Sequence, residues 1–98
     1  MFYVYVIKNP KRDELYYGFT ADLKQRFAEH QRLPRHAGWK LVYYEAYVDE
    51  QDARERERQL KAYGAARGHL KARIRRSMAK VVESAGEARS LSPRECRP

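Results

Sequence analysis

The chain opens on a run that is apolar at alternate and at intervening positions alike, Phe2 to Lys8, rich in aromatics and valine. A strand with one wet face alternates; a run apolar on both faces predicts a strand buried on both sides. Asn9-Pro10 ends it in a turn that Lys11 to Glu14 complete, and Leu15 to Phe19 form a short second strand, giving a hairpin. Thr20 is the expected N-cap of a first helix, with Asp22 placed early enough to favour the helix dipole. That helix runs to about Leu33, stops before Pro34, and has its buried direction marked by Leu23 and Phe27.

A loop around Gly38 leads to a third strand, Lys40 to Val48, dense in Val, Tyr and Leu. Asp49 begins the next helix, with Asp52 three positions on in a capping-like arrangement, and the helix continues to about Tyr63 before Gly64 breaks it. Leu70, Ile74, Met78 and Val81 then make the apolar stripe of one further helix, flanked by Arg67, Lys71, Arg75 and Arg76 and weakened in its first turn by Gly68. The pattern predicts an α+β domain over residues 1–82 and a polar tail over 83–98. No apolar stretch approaches the ~20 residues that span a bilayer. The start of the chain lacks the basic, apolar and small-residue order of a secretory signal, so the expected location is cytoplasmic.

Charge changes the picture more than length does. The formal net charge is +8 with a pI near 9.8. From Val81 onward Arg89, Arg94 and Arg97 balance Glu83, Glu87 and Glu95, so the excess lies in the part expected to fold. Basic surface recruits phosphate backbones by releasing condensed counterions, which makes a polyanion the expected partner and leaves no reason to expect a membrane. The single cysteine, Cys96, excludes an intramolecular disulfide and a cysteine-based metal site.

A few residues break the packing pattern. Arg26 and His30, an i,i+4 pair, fall beside the Leu23/Phe27 stripe; they read either as a snorkelling arginine and a boundary histidine, or as a phosphate-binding guanidinium beside a proton-transferring imidazole. Glu57 shares a helix face with Ala53 and Leu60. It calls either for an ion pair with Arg54, Arg58 or Lys61, or for a divalent cation, since magnesium often takes only one or two protein carboxylates. Tyrosines number eight against three phenylalanines and one tryptophan, and Tyr3, Tyr5 and Tyr16 all fall in the hairpin. His36, in the loop between Pro34 and Gly38, reads as a solvated loop histidine.

Tyr3-Val4-Tyr5, Tyr16-Tyr17-Gly18, Arg26 with His30, and Glu57, in that order, resemble the signature of the GIY-YIG nuclease superfamily, with Tyr3 standing where the family's first triplet has glycine. Leu41 to Glu45 and Glu57 to Lys61 resemble its small stand-alone members. The resemblance implies a small three-stranded antiparallel sheet flanked by helices in the order β-β-α-β-α-α, and a one-metal endonuclease. It implies that Tyr5 orients or deprotonates the attacking water, that Tyr16 and Arg26 hold the scissile phosphate, that His30 assists proton movement, and that Glu57 ligates Mg2+, with Mn2+ a possible substitute. Tyr3 and Gly18 join Arg26 on the substrate side. His36 is the loop residue that would match a further catalytic histidine of some relatives, although its place beside Pro34 and Gly38 favours the solvated reading. DNA is expected ahead of RNA, in repair or processing and with a possible repair-protein partner. Two other readings stay open: a module that grips nucleic acid without cutting, and a basic RNA-packing protein.

Overall fold

The computed structural model describes residues 1–82, and the stretch expected to be a polar tail lies outside them. Strand β1 (Phe2–Lys8) is the middle of a three-stranded antiparallel sheet, with β2 (Leu15–Thr20) on one side and β3 (Lys40–Tyr47) on the other. Central position explains the unbroken apolar run: Val4, Tyr5, Val6 and Ile7 are all at most 1% exposed. The β1–β2 turn is held by Asn9, whose backbone N–H donates to the Glu14 carbonyl (3.0 Å) and whose side-chain oxygen accepts from Lys11 N (2.9 Å). Lys8, buried at the strand end, donates to the carbonyl of Arg12 at 2.9 Å.

The two sheet faces have different fates. On the back face Val4, Val6 and Tyr17 pack against Ala53 and Leu60 of α2 (Glu50–Ala62), Leu70 of α3 (Gly64–Arg73) and Ile74, while Met78 of α4 (Arg75–Ala79) lies against the same core. Burying each large aliphatic side chain contributes about 1.5–3 kcal/mol, so this cluster is the main source of stability. The front face carries Tyr3, Tyr5 and Ile7 with their cross-strand partners, and helix α1 (Leu23–Arg32) stands over it. Helix α2 also reaches β2 residues of both faces. Its Arg54 guanidinium stacks 4.3 Å from the Phe19 ring of the back face, and its Lys61 ammonium reaches within 5.7 Å of the Tyr16 ring of the front face.

Several boundaries differ from the sequence expectation. Asp22, not Thr20, caps α1, accepting from Gln25 N at 3.0 Å. Thr20 instead ends β2, and its hydroxyl closes the turn by accepting from Asp22 N at 3.0 Å. Leu23 and Phe27 are only half-buried, and the buried residue of α1 is His30. Asp49 caps α2 through Gln51 N (2.7 Å). Gly64 does not break that helix: the break is Tyr63, extended at φ −117° and ψ 120°, and Gly64 opens α3. Arg67 then covers the end of α2, donating to the carbonyls of Leu60 and Lys61 at 2.9 Å each. The single helix expected to reach Val81 is two, interrupted at Ile74 (φ −107°, ψ 24°), although Ile74 N→Leu70 O (3.0 Å) and Met78 N→Ile74 O (2.9 Å) carry the hydrogen-bond ladder across. No helix among the described residues is long and apolar enough to cross a membrane.

Candidate active site

The front face gathers the polar residues that the sequence pattern could not place in a core. Tyr5 projects from the middle of β1 and lies across β2 at Gly18, its register partner. A methyl group at residue 18 would collide with the hydroxyl and ring carbons of Tyr5, so only glycine lets the ring lie there. The Tyr5 hydroxyl sits 2.7 Å from His30 Nε2, one α1 residue reaching back to the sheet.

His30 does not end the chain of contacts. Its Nδ1 is 2.9 Å from Nδ1 of His36, which is 6% exposed. His36 is therefore not the solvated loop histidine expected from its neighbours. The loop after α1 folds into consecutive turns, His36 N→Leu33 O and Trp39 N→His36 O at 3.0 Å each, with Gly38 at φ 85°. Gln31 pins it by donating to the Trp39 carbonyl (2.9 Å) and accepting from Gly38 N (3.2 Å). These turns aim His36 inward, with its ring 4.7 Å from Trp39 on one side and 4.9 Å from Tyr16 on the other. Tyr16 also packs edge-on to His30 at 5.1 Å. Its neighbour Tyr17 alternates to the back face, where its buried hydroxyl has no hydrogen-bond partner among the described residues.

The proton chemistry follows from two contacts. Two Nδ1 atoms can share a hydrogen bond only if one carries the proton. If Tyr5 donates to His30 Nε2, then His30 Nδ1 is protonated, donates to His36 Nδ1, and leaves the His36 proton on Nε2. Burial pushes the Tyr5 hydroxyl up to about 12; Arg26 pulls it down, while Tyr16 and Glu57 add to the rise. Burial, then His36 and Arg26, depresses His30 below the ordinary value of 6.5, and burial followed by Arg35 does the same to His36. Both imidazoles are thus biased towards the neutral form that can pass a proton on.

Arg26 is half-buried beside this cluster, bridging to Glu29 (3.1 Å), with Nη1 3.5 Å from the Phe19 carbonyl. Glu57 has a side chain 21% exposed and pairs through Oε2 with Lys61 at 3.0 Å. Its carboxylate is thus partly desolvated and held by a flexible, half-exposed lysine, which suits a cation site completed by water and substrate. The described residues contain no group of three His, Cys, Asp or Glu that could hold a metal by themselves. Tyr3 is on the same face but outside the cluster, packing edge-on to Tyr44 at 5.9 Å.

A second polar cluster, on the back face, had no mark in the sequence except a lone acid in an apolar strand. Glu45 accepts from the hydroxyls of Tyr43 (2.7 Å) and Tyr47 and from Arg56 at 3.0–3.1 Å, tying β3 to α2. Burial pushes its carboxyl up, but Arg56, Tyr47 and Tyr43 together outweigh this and hold it below the usual range.

The fold is a small α+β domain that gathers a glycine-seated tyrosine and the histidine behind it on one sheet face. The chain belongs to the GIY-YIG family, whose catalytic domain matches residues 1–71. Domains of this family are typically endonucleases and generally depend on a divalent metal, so a nuclease-type function on nucleic acid follows. No curated protein and no solved structure matches the chain.

Proposed function

We propose that this domain is a magnesium-dependent endonuclease acting on DNA, with manganese able to substitute, in DNA repair or processing. The observation that carries it is the Tyr5–His30 contact of 2.7 Å beside Arg26 and Glu57. A hydroxyl raised to about 12 is not a phenolate at neutral pH. Tyr5 therefore acts as a relay: it takes a proton from the attacking water as its own moves to His30 Nε2, and His36 takes up the displaced Nδ1 proton. Arg26 holds the scissile phosphate through its guanidinium fork, and Tyr16 borders the same site. Glu57 would hold the divalent cation, which when bound supplies charge neutralisation at the phosphate and leaving oxygen. Gly18 keeps the Tyr5 ring in place.

The Lys61–Glu57 pair favours one other reading, a module that grips nucleic acid without cutting, because the lysine already neutralises the carboxylate. Cleavage of a labelled panel of single-stranded, duplex, flapped and branched DNA and RNA separates the two. With magnesium or manganese, the parent cuts and Glu57→Ala does not, while chelator silences both. Binding without cutting by either protein, or equal cutting by both, would sink the nuclease assignment to these residues.

A further inference from the structure

Beside the Tyr5 cluster the front face carries an open, mainly apolar groove of about 440 Å³ whose walls are Tyr3, Leu23, Phe27, Leu41 and Tyr44, with Ala21, Asp22 and Lys24 completing its lining. We propose that this groove receives an unpaired nucleobase of the strand whose phosphate lies at Arg26, which makes the domain selective for nucleic acid containing an unstacked nucleotide. The proposal rests on the nuclease reading for the position of that phosphate.

The groove is built by a register shift. Between Val6 and Ile7 the pairing of β1 with β3 slips, so that Val6 faces Tyr43 but Ile7 faces Leu41, and Val42 is the extra residue. A bulge resets the alternation of side chains. Here it brings both Leu41 and Tyr44 to the front face. Helix α1 supplies the opposite wall through two adjacent stripes, Arg26 and His30 towards Tyr5, Leu23 and Phe27 towards the groove. Although Leu23 and Phe27 mark the apolar stripe of α1, they stay half-buried, and Tyr44 is 52% exposed.

Position and chemistry favour a base over other occupants. Tyr44 is the direct register partner of Tyr5, so the groove begins one cross-strand spacing, about 5 Å, from the proposed relay. A nucleotide next to a phosphate held at Arg26 is within reach of it, since Leu23 and Phe27 of the same helix line the groove. Its volume is near the small end of ligand pockets, sufficient for a planar ring but short for the row of anchors with which a helix docks. The walls are aromatic and aliphatic, and Asp22 and Lys24 balance each other in the lining. The positive field comes from the chain's net charge of +8 with Arg26 one turn along α1, the stacking surface on a basic protein by which single strands are held without reading sequence.

The test is fluorescence anisotropy of the full chain in chelator, so that binding is read without cutting. The probes are a duplex, the same duplex with one unpaired nucleotide, and the same with an abasic unit in that place, each in DNA and RNA. The expected result is tighter binding of the unpaired base than of the abasic unit, by about fivefold to a hundredfold, the range alanine substitution gives for one stacked base. Tyr44→Ala should abolish that difference, and Tyr44→Trp should keep it; Tyr44 is exposed enough for the fold to tolerate either change. Equal affinity for the two probes, or a preference unchanged in Tyr44→Ala, would overturn the proposal. So would sedimentation showing that Tyr44→Ala turns a dimer into a monomer without touching the preference, since the occupant would then be a second copy. A preference that survives when no metal supports cutting upholds the groove and removes the nuclease; cutting with no preference does the reverse.

Discussion

At Tyr5 the burial that secures the ring also makes the hydroxyl a poor acid, and that tension fixes how the residue can work. Burial raises it to about 12, so its usefulness depends on His30 accepting the proton it gives up. Tyr5→Phe keeps the ring over Gly18 and removes only the relay. Single-turnover cleavage should fall by roughly 10²- to 10⁴-fold, while the melting temperature moves little, because one lost hydrogen bond costs about 1 kcal/mol; full activity in the variant would exclude the relay. The pH profile follows from His30. Its folded value lies below 6.5, so it stays neutral as pH falls through 6.5 and the acid limb of activity lies lower still. His36→Gln removes one charge that depresses His30, and the limb should then move up. The same shift means that the unfolded chain binds protons more readily than the folded one, so this part of the stability is complete above about pH 6.5 and lost as pH falls below it. Tyr5, Tyr16, Arg26, His30 and Glu57 could be picked from the sequence because each contradicted its surroundings or matched a signature. The burial of His36 was not legible, because it comes from a series of turns pinned by Gln31, a contact between side chain and backbone that no periodicity records.

Among the elements, β1 was readable to the residue because a central strand needs apolar side chains on both faces, and the hairpin followed from Asn9-Pro10. The bulge in β3 was not. Nothing in Leu41-Val42-Tyr43 distinguishes a regular strand from one with an extra residue, and the consequence, Tyr44 on the front face, depends on pairing with β1. The direction of α1 misled for a related reason: its apolar stripe faces a groove, not the core, and the helix is seated by His30. Glu45 shows the reverse case, an acid in an apolar strand that serves packing. Its contacts join β3 to α2 through Arg56, with both side chains largely buried. Removing one partner of a buried pair leaves the other charge uncompensated, a loss of 3–5 kcal/mol at full burial and about 2 kcal/mol at this partial exposure. Arg56→Ala should therefore lower the melting temperature by roughly 8–16 °C for a domain of this size, read by circular dichroism. Because Glu45 is held below its ordinary range, the stability it contributes is lost as pH falls through its folded value, and the difference between parent and variant should narrow in acid.

Over the whole molecule, charge and architecture divide the work of binding. The sheet's back face is spent on the hydrophobic core, leaving the front face and the surrounding loops to meet a substrate. The net charge of +8 belongs to residues 1–80, since the three arginines and three glutamates from Val81 onward cancel. Phosphate contacts release counterions, so log K should fall linearly with log salt, with a slope of about −0.9 per phosphate on duplex DNA. Arg26 is the residue expected to face the scissile phosphate, and Arg26→Gln should flatten the slope by about one. Removing residues 83–98 takes away three arginines and three glutamates together and should leave it where it was. Tyr44→Ala gives the contrasting case: it removes base contact without removing charge, so affinity for an unpaired nucleotide drops while the slope stays constant. Anisotropy titrations of the parent and these variants across a salt series measure both quantities at once. A slope that changed on loss of the final residues would move the electrostatic footprint off the folded domain, and an unchanged slope in Arg26→Gln would detach the phosphate from the Tyr5 cluster and with it the geometry on which the relay depends.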